Sequence, residues 1–222
     1  MTSTSSTEAD DRPDWITHCF LTVLPGDARD EVARRARPTE VAVGQYIYEP
    51  ELAIVDEGTV RAFVTDTGGR QLTVSYVRRG GAIGLARELG RSYPAGFQAA
   101  TPTCLIQVDR THFYQLLDQY PQLGIAVARE VTRRINELLG ELTRVAFASL
   151  RQRTAYHLLA LTDGTDEQWI RQSDLALAVG VLRESAARTI GQLADDGLVS
   201  TGPSGVRVVD PAGLRATAEA RM

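Results

Sequence analysis

The sequence predicts an α+β chain in three consecutive parts, and three observations carry the prediction. Residues 40 to 108 hold β-branched and aromatic runs punctuated by glycine. A proline-free stretch of helical period runs from Gln122 to about Leu150. The remainder reads as a helix, a helix–turn–helix and a β-hairpin, in that order.

The chain has 222 residues and a formal charge of −4, and all 24 basic residues are arginine. Without lysine there is no Schiff-base, pyridoxal-phosphate or phosphate-loop lysine chemistry. Residues 1–15 hold one arginine and four acids and read as a disordered acidic tail. That start lacks the basic opening and apolar centre of a signal peptide. No apolar run approaches the roughly 18–20 residues that span a bilayer. A cytoplasmic protein with no membrane contact is expected.

Asp27–Arg37 has short-helix character. The runs VAVGQYIYEP, LAIVDEGTVRAFVTD and RQLTVSYVRRG then read as short strands of a β-sandwich or roll. Asp66-Thr67-Gly68-Gly69 is placed as the turn of a hairpin. TCLIQVD closes this region, and THFYQLLDQYP reads as a short helix stopped near Pro121. The expected division is a β-roll at 16–121, a helix at 122–149 and a helical unit with a hairpin at 150–222.

In the long helix Leu123, Val127, Val131, Ile135, Leu138, Leu142 and Val145 form one apolar seam. A helix of that length fits pairing with a second copy of itself, against the alternative that it packs only on its own sheet. Beyond it, Ser149 suits a helix N-cap. Ala176, Gly180 and the polar start Arg183-Glu184-Ser185 have helix–turn–helix spacing, which lets a second helix enter the major groove N-terminus first. Arg183 and Arg188 can fork onto guanine, and Glu184 can accept from cytosine N4. The alternative leaves them as solvated surface charges.

The segment IRQSDLALAVGVLRESAARTIGQLADDGLV resembles the pattern L-T-Q-E-D-L-A, then G, then S-R-E-T, R, L and G-L-I of the family of the cyclic-AMP receptor protein and the fumarate–nitrate regulators, the CRP/FNR family. LAIVDEGTVRAFVTDTGGRQLTVSYVRRGGAIG resembles that family's β-roll, and the likeness extends from about residue 20 to 215. The resemblance implies that these three parts are an effector domain with a cyclic-nucleotide-binding-like β-roll, a dimerisation helix and a DNA-binding winged helix–turn–helix. It also implies a homodimeric transcription regulator on a pseudo-palindromic double-stranded DNA site, with RNA polymerase as a further partner. Arg183, Glu184 and Arg188 fall on the family's base-reading positions. Arg171, Gln172 and Ser173 fall where the family approaches phosphates. Ser185 and, on the hairpin, Arg207 are expected on the DNA backbone. Leu182 departs from the family's capping Ser or Thr, and Arg171 from a capping Thr.

Cyclic-nucleotide binders of this family hold the ribose with a glutamate and the cyclic phosphate with an Arg-Ser pair. Alignment puts Gly84 on the cassette's glycine, Leu85 on the glutamate, and Tyr93 and Pro94 on the Arg-Ser pair. Arg91-Ser92, with Glu88 nearby, forms only a shifted pair at the wrong spacing. Cyclic AMP is therefore not the expected effector, the effector stays unidentified, and no cofactor is expected. Tyr76, Tyr93, Phe97 and the long helix are placed to line a smaller, more apolar site, or to serve as core.

Cys19 and Cys104 form no C-x-x-C pair, and His18, His112 and His157 show no metal-ligand spacing, so no metal is expected. A redox role for the two thiols stays open. Two other readings compete. One is a regulator responsive to a cyclic nucleotide or other small molecule, or a ligand-binding module whose helix–turn–helix serves protein contacts. The other is an enzyme, which no nucleophile elbow, carboxylate pair or metal cluster supports.

Overall fold

The computed structural model describes residues 14–48, 50–90, 95–162 and 168–220. Two 3-10 turns, Asp14–His18 and Phe20–Val23, open the described chain. Trp15, assigned above to the tail, is 5% exposed and packs with Ile16, Phe20 and Leu21 in the core. The acids around it shifted the apparent boundary, whereas an apolar run already begins at Trp15.

Helix α1 (Gly26–Arg35) leads into a β-roll of two four-stranded antiparallel sheets. The strands are β1 (Arg37–Val41), β2 (Tyr46–Ile47), β3 (Ala53–Glu57), β4 (Val60–Thr65), β5 (Gln71–Val77), β6 (Ala82–Ile83), β7 (Gly96–Ala99) and β8 (Thr103–Gln107). A short helix α2 (Leu85–Leu89) follows β6. One sheet has the order β1-β8-β3-β6 and the other β2-β7-β4-β5. Val41, Val55, Val60, Val77, Ile83 and Leu105 pack between them. The β4–β5 hairpin turns where expected, with the Asp66 carboxylate accepting from the amides of Gly68 and Arg70 at 2.9 and 2.8 Å.

That hairpin carries a bulge. Ala62 pairs with Ser75 and Phe63 with Thr73, so Val74 is one residue in excess. An extra residue reverses which face the following side chains take.

Helix α3 (Arg110–Gln119) starts on the Asp109 side chain, which accepts from His112 N at 2.7 Å. Pro121 ends its reach and opens α4 (Pro121–Phe147), where proline costs no helical hydrogen bond. The seam of α4 divides in two. Leu123 and Val127 are buried against the β-roll core. Val131, Ile135, Leu138 and Leu142 are 37% to 61% exposed.

The C-terminal unit is α5 (Leu150–Leu161), α6 (Gln172–Val179), α7 (Arg183–Asp195), the hairpin β9 (Val199–Gly202) and β10 (Gly205–Val208), and α8 (Pro211–Glu219). Ser149 does cap α5, in a reciprocal box with Gln152. Helix α8, which the sequence reading did not anticipate, packs on α5 and is capped by Asp210.

Candidate nucleic-acid interface

The turn between α6 and α7 depends on Gly180, whose φ of +75° suits glycine. Beyond it Ala186, Thr189, Ile190 and Leu193 bury one face of α7. Arg183, Glu184 and Arg188 lie on the exposed face, within its first two turns. Among the described residues none of the three side chains takes part in a hydrogen bond or ion pair. Leu182 is the N-cap, makes no side-chain cap and is 70% exposed. Ser185 is half-buried one turn below Thr189, which donates to its carbonyl at 3.0 Å.

Arg171 is the N-cap of α6, likewise without a side-chain cap, and both it and Gln172 are exposed. Ser173 is half-buried and donates to Asp174 Oδ1 at 3.4 Å. Ile170 and Val206 exchange two 2.8 Å backbone hydrogen bonds, which fix the β9–β10 wing beside Arg171. Arg207 is exposed on the wing, with its guanidinium 5.3 Å from the Trp169 ring centre. Trp169 was missed above. The Arg171, Arg207 and Trp169 side chains thus share one margin of the unit, while Arg183, Glu184 and Arg188 share the start of α7.

A cavity of about 310 Å³ lies between the β-roll and α4. Its walls are mainly Ala62, Val77, Leu85, Phe97, Ile135 and Leu138, with the Glu130–Arg134 ion pair at one side. Gly84 also lines it and has a φ of +77°, where a Cβ would collide with the Glu51 carbonyl. Arg91, Ser92, Tyr93 and Pro94 lie outside the described residues. Of the two readings left open for Tyr76, the core one holds. Tyr76 does not line the cavity, because its hydroxyl reaches His157 Nδ1 at 2.9 Å on the other side of the strand. Glu88 is buried and paired with Arg110 at 2.9 Å.

Burial pushes the Cys19 thiol up to about 12 and also raises Cys104, which disfavours the reactive thiolate. His18 pairs with Asp14 on the surface, and His157 is enclosed between Tyr76 and Glu141.

The sequence reading missed the junction between the two units. Arg61 on β4 is 2% exposed. Its Nε donates to Thr73 Oγ1 at 2.9 Å, and Nη1 to Gln71 Oε1 and Gln98 Oε1 at 3.0 Å each. Its Nη2 donates across the junction to the carbonyl of Leu177 in α6 at 3.1 Å. Thr73 donates to the next carbonyl, Ala178 O, at 2.7 Å, and Arg153 of α5 donates to Val179 O. An arginine between Val60 and Ala62 in the otherwise apolar run VRAFV was the available signal.

A Crp-like helix-turn-helix domain model matches residues 152–217, and a cyclic nucleotide-binding domain model matches residues 39–120. The Cyclic AMP receptor protein of Thermus thermophilus is 33% identical over 175 residues, covering 77% of this chain and 78% of that protein. Transcriptional regulator SdrP of the same organism is 29% identical over 173 residues, 74% of this chain and 82% of its own. A solved CRP/FNR-family transcriptional regulator from Thermus thermophilus superposes with a TM-score of 0.67 at 27% identity, covering 84% of this chain and all of the other. A crp/fnr-family structure from Eubacterium rectale gives 0.76 at 19% identity over 90% of this chain and 98% of its own, a likeness of fold.

Proposed function

The chain belongs to the CRP/FNR family of transcription regulators, and on that premise we propose that it works as a cytoplasmic, non-catalytic homodimer on a pseudo-palindromic DNA site. The observation that carries this reading is the bare charged face of α7, where Arg183, Glu184 and Arg188 have no partner among the described residues. A side chain that satisfies no group of its own protein is free to satisfy a base edge. Arg171, Gln172, Ser173, Ser185 and the wing's Arg207 flank that face and serve the phosphates. The exposed stripe Val131, Ile135, Leu138 and Leu142 supports pairing with a second α4. Two recognition helices then meet half-sites about 34–36 Å apart. RNA polymerase is the partner that a regulator of this kind meets once on its site.

The effector reading rests on the cavity. A cyclic phosphate needs a fixed cation with spare donors. Leu85 stands where the family resemblance implies the ribose glutamate, and Arg134 is already tied to Glu130 and Glu137. The apolar walls support a small, largely uncharged ligand instead of cyclic AMP. Genomic fragments enriched on the purified protein, then titrated with and without cyclic AMP, test both parts. A recurrent inverted repeat bound equally well in both conditions is expected. Enrichment of no common site would overturn the DNA reading, and a large gain with cyclic AMP would overturn the effector reading.

A further inference from the structure

The β4–β5 hairpin has two working faces. Ala62, Ser75 and Val77 line the cavity on one side. On the other side Arg61, Gln71, Thr73 and Tyr76 meet the C-terminal unit or each other. The bulge makes this division possible. Thr73 and Ser75 are two apart and would share a face in a regular strand. With Val74 in excess, Thr73 lies opposite Phe63 and Ser75 opposite Ala62, so the two hydroxyls point opposite ways.

From this geometry we propose that Arg61, together with Thr73, is a positioning residue for DNA recognition: it holds the C-terminus of α6, and through it the start of α7, at a fixed orientation to the dimer helix α4. The proposal rests on the DNA-binding dimer described above. Helix α6 ends in carbonyls that no helical amide can satisfy. Those of Ala178 and Val179 accept from Thr73 and Arg153, and that of Leu177 accepts from Arg61 beside a long 3.3 Å bond from the capping Gly180 amide. Of the three side chains only Arg153 comes from the DNA-binding unit itself, so the β-roll supplies the other two. All the hydrogen-bond partners of Arg61 are uncharged oxygens. The negative end of the α6 dipole gives this buried cation a favourable neighbour. Stacking on Phe63, 4.7 Å from the ring centre, fixes the plane of the guanidinium. Arg183, the first residue of α7, lies only six positions beyond Leu177. A hold at α6 therefore sets where each recognition helix points from the dimer axis.

The test uses the full chain and three variants, Arg61→Met, Thr73→Val and Thr73→Ser. Each is titrated with the enriched site and with sites whose central spacer is one base pair longer or shorter. A fixed orientation makes the wild type discriminate between spacers by about tenfold or more. Arg61→Met and Thr73→Val should reduce that discrimination to about threefold or less, with base preference inside each half-site unchanged, and Thr73→Ser should behave as wild type. Should Arg61→Met fail to fold in urea titration, Thr73→Val carries the result alone. Spacer discrimination retained in Thr73→Val, beside a discriminating wild type, would overturn the hold. A wild type with no preferred site would instead overturn the DNA reading beneath it.

Discussion

Helices α4 and α7 both carry arginines and both leave one face uncovered, yet the uncovered faces are opposite in kind. On α4 every arginine that packs near the body is matched by a glutamate. Arg133 and Arg134 meet Glu130 and Glu137, and Arg144 meets Glu141 at 3.0 Å. What remains bare is the apolar stripe from Val131 to Leu142. On α7 the apolar residues are buried, and Arg183, Glu184 and Arg188 remain bare. An apolar face gains by meeting its like. A charged face gains by meeting a polyanion and its base edges. The net charge of −4 hides this division, because it does not record that the glutamates of α4 are paired with arginines while Arg183, Glu184 and Arg188 of α7 stand unpaired among the described residues.

The largest effect should come from spoiling the apolar face. Leu142→Glu leaves the fold intact, since Leu142 is 61% exposed. It should convert the dimer to monomer in sedimentation and weaken binding to a two-half-site fragment by about 100-fold or more, as the second contact is lost. A Leu142→Glu protein that remains dimeric would show that α4 is not the meeting face.

Next in size is the paired side of α4. Glu141 is buried, and despite its burial His157 and Arg144 hold its carboxyl below the usual range. Glu141→Ala should cost about 2–4 kcal/mol in urea unfolding by leaving the His157 Nε2 and Arg144 donors without their acceptor. His157 adds a pH dependence. Burial lowers its pKa against the pull of Glu141. Below about pH 6.5 the unfolded chain binds a proton that the folded core refuses, so stability falls as pH falls, by up to about 1.4 kcal/mol per unit. His157→Gln should flatten that decline, and a decline unchanged in the variant would assign it elsewhere.

Smaller effects belong to α7. Arg188→Ala or Arg183→Ala should lose about 1–3 kcal/mol at one base position in binding to single-substituted sites, with unfolding unchanged. Equal losses on specific and random DNA would move that residue to the backbone set. The smallest is Arg207→Ala, expected to lower the slope of log affinity against log salt by about 1 and leave sequence preference alone.

The sequence displayed α7 and the strands well, because local patterns determine them. Arg183 to Arg188 follow a turn that Gly180 imposes, and the Asp66 turn is written in four residues. The apolar seam of α4 was also visible, but not its division, because only the folded β-roll buries Leu123 and Val127 and leaves Leu142 bare. The side that Tyr76 takes was left open, and Arg61 and Thr73 went unnoticed, for one further reason. Their partners lie about 80 to 116 positions away, and no local pattern records a bond from a strand to the end of a distant helix.

The surplus residue at Val74 has a consequence for reading relatives of this chain. It acts as a change of phase: side chains before it and after it obey opposite parities. A relative without the bulge could keep Thr and Ser two positions apart and send both hydroxyls to the same wall. Another could change both letters, keep the phase, and preserve the arrangement. The cross-strand register of this hairpin is therefore the quantity to compare, and percentage identity across it is blind to the difference.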